Sequence, residues 1–75
     1  MKKYKRIKID AEKMGGVPCI RDLRMPIATI IEMFAEGYDT KQILTEYPEL
    51  QIEDIQEALH FASEALSYRE IHLAI

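Results

Sequence analysis

The sequence has few of the residues that staple or anchor a small protein. Cys19 is the single cysteine, so an internal disulfide is excluded, and no Cys/His cluster has the spacing of a zinc site. No apolar run approaches the roughly 18 residues that a membrane span needs. The basic start, MKKYKRIK, lacks the apolar segment that follows it in a signal peptide. These absences predict a cytoplasmic protein with no membrane contact.

Catalytic patterns are missing as well. No Ser, Cys or Lys nucleophile is paired with a nearby base, and Gly15-Gly16 lacks the GxxxxGK[ST] surroundings of a phosphate loop. His60 and Glu64 lie four residues apart on a predicted helix, but two ligands do not make a metal site. We therefore expect no enzymatic activity, no catalytic residues, no metal and no cofactor.

Charge is divided unevenly along the 75 residues. Residues 1–24 carry eight Lys or Arg against three acids, whereas residues 25–75 carry two against ten. Such asymmetry predicts an anionic partner for the first part and a cationic partner for the second. The alternative is that both parts are ordinary solvated surface.

The first 25 residues predict a small basic β element. YKRIKI at 4–9 partly alternates polar and apolar residues, as in a solvated strand. Residues 18–21 and 23–25 flank Asp22, which tolerates turn geometry, and so predict a hairpin. Pro18 and Pro26 restrict that hairpin to a sheet edge, because proline cannot donate to a strand ladder.

Residues 26–75 predict three helices. Pro26 suits the start of the first helix and Gly37 its end, while Asp39 and Gln42 have the spacing of a capping box for a second. A third begins near Ile52. The fold class is therefore mostly α, a three-helix, homeodomain-like helix-turn-helix domain with a small N-terminal β element, in one domain over 1–75. The predicted core comprises Ile27, Ile30, Ile31, Phe34, Ile43, Leu44, Leu50, Ile55, Leu59 and Ala62.

A helix-turn-helix suggests DNA binding, but the charges place the contact elsewhere. The third helix would enter the major groove by residues 53–57, which include three acids. DNA affinity depends mainly on neutralising phosphates, so these residues are unsuited to the task. We expect any contact with DNA to be made by the basic N-terminus, through Lys2, Lys3, Lys5, Arg6 and Lys8.

The stretch from Gly15 resembles a family of small prokaryotic proteins of unknown function, similar to VapB-type antitoxins, over residues 10–65. The residues that match its pattern are Gly15, Gly16, Pro18, Ile20, Arg24, Gly37, Tyr47, Pro48 and Leu50. Val17, Asp22 and Leu23 replace the usual lysine, glycine and threonine, and Asp22 can still hold a left-handed turn. The resemblance implies a homeodomain-like fold and a PIN-like nuclease toxin as partner.

Two groups of residues are candidates for binding that partner. Arg21 and Arg24, on either side of the turn, are expected to project outward; the alternative is that they bind carboxylates of the protein's own helices. Tyr68, Ile71 and Ile75 form an apolar stripe rotated away from the predicted core face of the third helix, through Ile55, Leu59, Ala62 and Leu66.

The leading hypothesis is an antitoxin-like regulator that binds and neutralises a PIN-like nuclease and contacts its own operator DNA through the basic N-terminus. The competing hypothesis is a small acidic helical module for protein interaction or dimerisation, without DNA binding. In either case a homodimer is expected, because so small a core supplies only about 3–5 kcal/mol.

Overall fold

The protein is described by a computed structural model, which covers residues 4–12 and 14–69. The strands are β1 (Ile7–Lys8), β2 (Cys19–Ile20) and β3 (Met25–Pro26), with a short 3-10 turn at Met14–Gly16. The helices are α1 (Ile27–Ala35), α2 (Thr40–Glu46) and α3 (Ile52–Arg69). This confirms the predicted fold class, three helices preceded by a small β element. No helix in the described part of the chain is both long enough and apolar enough to cross a membrane.

The three strands form an antiparallel sheet in the order β1-β2-β3. Ile20, in the central strand, is opposite Ile7 on one side and Met25 on the other, and it is fully buried. The strands are shorter than predicted, since only two residues of 4–9 enter the ladder. The chain then turns at residues 21–24 and leads through Pro26 directly into α1, so the turn is placed against the helices.

The backbone of this turn differs from the prediction. Arg21 and Arg24, not Asp22, adopt positive φ angles, of 43° and 59°. A left-handed conformation is costly for a residue with a Cβ and persists only where surrounding contacts stabilise it. We therefore expect the contacts of Arg21 to stabilise this backbone conformation.

The first helix begins one residue after the predicted Pro26, which is its N-cap, and it ends as the sequence predicts. The φ of Gly37 is 102°, and its amide donates to the Phe34 carbonyl at 3.0 Å. The Tyr38 amide donates to the Met33 carbonyl at the same distance. These two bonds form a Schellman motif, which satisfies carbonyls that the helix leaves unpaired and turns the chain toward α2.

The second helix begins with the predicted capping box. The Asp39 carboxylate accepts the Gln42 amide at 2.8 Å, and the Gln42 side chain accepts the Asp39 amide at 2.9 Å. The first orphan amides of α2 are thereby satisfied. The chain then turns over residues 47–51 into α3.

The core is built where the sheet and the three helices meet. Its buried apolar residues are Cys19, Ile20, Ile27, Ile30, Met33, Ile43, Leu50, Ile55 and Ala58. Of the other predicted core residues, Ile31, Phe34 and Leu44 are partly buried against this cluster, and Ala62 is half-buried.

The predicted core face of α3 is correct at the buried Ile55 but wrong at Leu59 and Leu66. Leu59 is 42% exposed and Leu66 58% exposed. The face that packs inward is rotated and includes Asp54, Ala58 and the half-buried Phe61. The reason is that β1 and the turn after β2 approach α3 on that side, so an acid takes a place that an apolar pattern would give to leucine.

Truncation of a core isoleucine tests this arrangement. Ile30 is fully buried, so Ile30→Ala should lower the free energy of unfolding by about 2–5 kcal/mol through lost burial and a residual cavity. Ile9→Ala removes the same atoms from a side chain that is 61% exposed and should cost less than about 0.5 kcal/mol. Urea unfolding of both variants is the measurement; equal losses of stability would contradict the core assignment.

Candidate partner-binding site

The Asp54 carboxylate, at the third position of α3, is fully buried and accepts four hydrogen bonds. Its Oδ1 accepts from Arg6 Nη1 at 3.0 Å and from Arg21 Nε at 3.0 Å. Its Oδ2 accepts from Arg21 Nη2 at 2.7 Å and from the Gln51 amide at 2.8 Å. Every lone-pair direction is used, which a buried charge requires if it is to remain ionised.

Arg21 connects the turn after β2 to the start of α3. Its guanidinium binds Asp54 in the bidentate arrangement, through Nε and Nη2, and Nη2 also donates to the Glu49 carbonyl at 3.0 Å. A planar fork on a carboxylate fixes orientation as well as distance. These bonds stabilise the left-handed backbone of Arg21, and they place its side chain on the protein's own helix.

Arg6 makes the corresponding connection from β1. Its Nη1 donates to Asp54 and, at 2.7 Å, to Gln51 Oε1. Its own amide donates to Glu57 Oε1 at 3.0 Å, and its carbonyl accepts the Arg21 amide at 2.7 Å. The strand, the turn and the first turns of α3 are therefore joined through one carboxylate. We call Arg6, Arg21 and Asp54 the carboxylate anchor.

Electrostatics at the anchor favour the ionised acid. Burial alone would raise the pKa of the Asp54 carboxyl, but the hydrogen bonds from Arg21, the Gln51 amide and Arg6 outweigh it and lower this pKa to about 2. The hydrogen bond to Asp54 in turn raises the pKa of Arg21. Arg21 and Asp54 are therefore both charged at neutral pH.

Arg24 lies at the far end of the same turn, and its side chain is exposed. The turn is held on both sides of it: the Leu23 amide donates to the Ile20 carbonyl at 3.0 Å, and the Ile27 amide donates to the Pro18 carbonyl at 3.0 Å. The Leu23 side chain is partly buried against the core. The turn therefore exposes the Arg24 side chain on a backbone that the contacts of Arg21 hold in place.

The N-terminal segment continues along α3 beyond the anchor. The Tyr4 hydroxyl donates to Glu64, and its ring meets Phe61 edge-on with centroids 5.5 Å apart. The hydrogen bond to Glu64 raises the pKa of Tyr4 to about 12. The Lys5 amide also approaches Glu57 Oε2, at 3.4 Å. Acids of α3 therefore bind the backbone and side chains of this chain's own basic end.

Of the predicted DNA-binding residues, the structure describes Lys5, Arg6 and Lys8, and their surroundings differ. Lys5 is exposed; Lys8 is also exposed and forms an ion pair with Asp22 at 3.0 Å. Arg6 is held in the anchor. Lys2 and Lys3 lie outside the described residues, so their role stays a prediction.

The predicted partner-binding residues also differ from one another in their surroundings. Arg21 follows the alternative reading, because it binds a carboxylate of the protein's own third helix, whereas Arg24 projects outward as expected. Ile71 and Ile75 lie outside the described residues, as does the side chain of Tyr68.

Among residues 4–12 and 14–69, no three His, Cys, Asp or Glu side chains come together as a metal site would require.

Comparison with known proteins identifies a family for these features. A family model described as "Protein of unknown function (DUF433)" matches residues 7–62, which include Arg21, Arg24 and Asp54. The fold is similar to the crystal structure of a DUF433 member protein from Anabaena variabilis ATCC 29413, with 32% identity and a TM-score of 0.75. The similarity covers 79% of this chain and 58% of that one, so this chain spans little more than half of that relative's length. No curated protein matches the chain.

The depressed pKa of Asp54 predicts how stability depends on pH. An acid whose pKa is lower in the folded state stabilises the fold above its ordinary pKa, and this contribution is lost as the pH falls through the folded value. For Asp54 the loss should occur between about pH 4 and pH 2 and amount to about 2 kcal/mol. Titration of the Asp54 carboxyl carbon by NMR should give a midpoint near 2; a midpoint at 3.8 or above would contradict the anchor.

Asp54→Asn is the matched control for that titration. The amide keeps the shape of the side chain but leaves Arg6 and Arg21 without their countercharge. Because these two side chains are 29% and 34% exposed, the change should cost about 1–3 kcal/mol. The variant should also lose the corresponding part of the pH dependence of unfolding below pH 4.

Proposed function

This chain belongs to the DUF433 family of proteins of unknown function, and from that premise we propose that it is an antitoxin-like regulatory protein that binds and neutralises a PIN-like nuclease toxin. The resemblance of its motif between Gly15 and Leu50 to a family that is in turn similar to VapB-type antitoxins supports this proposal. The structural observation that carries it is the exposed Arg24 on a fixed turn.

The geometry of the turn suits the recognition of a cluster of carboxylates. Arg24 forms no hydrogen bond or ion pair within the described parts of the chain, while the backbone on either side of it is held by bonds to the sheet and to α3. A guanidinium presented in this way loses less conformational freedom on binding than one on a mobile loop. It can then form a bidentate pair with a carboxylate, which is stronger than a neutral hydrogen bond.

The resemblance implies that the partner's active site is an acidic cluster that holds divalent metal. A guanidinium inserted there competes with the metal for the same carboxylates, because both supply positive charge at short range. In this proposal Arg24 makes the inhibitory contact and Arg21 positions it through Asp54.

Operator binding forms the second part of the proposal. α3 is unsuited to entering the groove, because Glu57 and Asp54 bind the N-terminal strand and Glu53 adds a further exposed acid. The cations proposed to meet phosphates are Lys2, Lys3, Lys5 and Lys8, together with Arg6. The guanidinium of Arg6 also binds Gln51 and Asp54. Such binding must weaken steeply with salt; the competing module that only dimerises would show no DNA binding at any salt concentration.

The experiment uses the protein encoded by the adjacent reading frame, provided that it is a small nuclease-like protein. Arg24→Ala should weaken binding and inhibition of this nuclease by at least about tenfold, since buried arginines at interfaces often contribute 2 kcal/mol or more. Arg24→Lys should restore inhibition only in part, because lysine cannot form the bidentate pair.

Lys41→Ala is the control, because it removes another exposed cation, from α2. It should leave binding and inhibition unchanged. Equal affinity of the Arg24→Ala and Lys41→Ala proteins would contradict the proposed contact, and a nuclease that remains fully active in the presence of the parent protein would contradict the proposed function.

A further inference from the structure

Residues 4–6 run antiparallel to α3 and are bound to it at three places along the helix. We call these residues the N-terminal strap. The Arg6 guanidinium binds Asp54 near the start of the helix, and the backbone of the strap binds Glu57 one turn farther along. The Tyr4 ring packs edge-on against Phe61, one further turn away. The backbone and two of the three side chains of this basic segment are therefore held on the helix.

Glu57 makes the central contact, and its described hydrogen bonds go to backbone amides. Its Oε1 accepts the Arg6 amide at 3.0 Å, and its Oε2 lies 3.4 Å from the Lys5 amide. One carboxylate therefore binds two consecutive peptide groups of the strap. The Lys5 side chain stays exposed. The acid that holds the strap thus leaves the neighbouring ammonium group available to an anionic ligand.

We propose that Glu57 is a positioning residue for the binding of nucleic-acid phosphates, so that an acid strengthens the binding of an anionic ligand. This inference rests on the operator-binding part of the proposed function and adds that α3 holds the basic segment in place for it. A segment that is already fixed loses less conformational freedom on binding than a free one. Lys5 then meets a phosphate from a backbone that Glu57 holds.

The charge of Glu57 has two opposing effects on this binding, and their range decides between them. Repulsion between its carboxylate and the phosphates acts over a distance, and salt at 0.1 M screens it over about 10 Å. The two hydrogen bonds to the strap act at contact, where the half-buried carboxylate is partly shielded from salt. Ordering of the strap therefore outweighs repulsion, and neutralising Glu57 should weaken DNA binding although it removes a negative charge.

Binding of a short double-stranded DNA of random sequence, measured by fluorescence anisotropy between about 50 and 200 mM salt, tests this proposal. Glu57→Gln should weaken binding about three- to tenfold, because the amide nitrogen cannot accept either backbone bond and the strap becomes less ordered. The slope of log K against log salt should equal that of the parent, since no phosphate contact is lost. Lys5→Ala should instead reduce the magnitude of that slope by about 0.9.

Glu53→Gln is the matched control, because it removes the same charge without touching the strap. Glu53 is exposed, lies one turn earlier on the same side of α3 and has no hydrogen bond to residues 4–6 in the described structure. This variant should bind DNA as tightly as the parent or slightly more tightly. Tyr4→Ala removes the contact with Phe61 and no charge at neutral pH, so it should weaken binding with an unchanged slope.

Amide hydrogen exchange measures whether Glu57→Gln releases the strap. Exchange of the Arg6 amide should accelerate, whereas amides in the middle of α1 should exchange as in the parent, which separates release of the strap from loss of the fold. Unchanged exchange at Arg6, or DNA binding by Glu57→Gln as tight as that of Glu53→Gln, would overturn the proposal. A parent protein that binds no DNA at the lowest salt would contradict operator binding together with this inference, but would leave the proposed contact of Arg24 with a nuclease unaffected.

Discussion

A buried carboxylate is stable as an ion only beside cations. In this chain Asp54 binds Arg6 and Arg21, and these bonds connect the basic first part of the sequence to the acidic second part. The two arginines come from β1 and from the turn after β2, and the acid comes from the first turn of α3. A buried ion pair contributes little more to stability than well-packed apolar residues would, but removing one member is costly. Its main effect here is geometric, because the bidentate fork of Arg21 fixes the turn that exposes Arg24.

The elements of the fold were predictable because each has a local cause. The capping box of Asp39 and Gln42, the left-handed Gly37 and the apolar residues of α1 all act within a few positions of one another. The rotation of α3 was not predictable in this way. Leu59 fits an apolar helical pattern as well as Ala58 does, and the choice between them depends on β1, which approaches α3 from about fifty residues away in the sequence.

The anchor illustrates the same limit for the candidate site. An acid in the first turn of a helix has an adequate local explanation in the helix dipole, so nothing in the sequence near Asp54 points to Arg6 or Arg21. The excess of basic residues before position 25 and of acids after it was the available signal, and it indicated partners outside the chain. Part of that asymmetry is satisfied internally. Among the described residues, the exposed Arg24 and Lys5 remain for a partner.

Arg21 and Asp54 act as one coupled pair that holds the turn on α3, and a double-mutant cycle measures that coupling. Arg21→Gln, Asp54→Asn and the double variant would be unfolded by urea at neutral pH, with enough trimethylamine N-oxide to keep the single variants folded. The anchor predicts a coupling free energy of about 2 kcal/mol, because Arg21→Gln leaves the buried Asp54 with Arg6 as its one described cation and Asp54→Asn leaves Arg21 without its countercharge. Effects that add to within about 0.5 kcal/mol would show that the two residues act independently and would contradict the account.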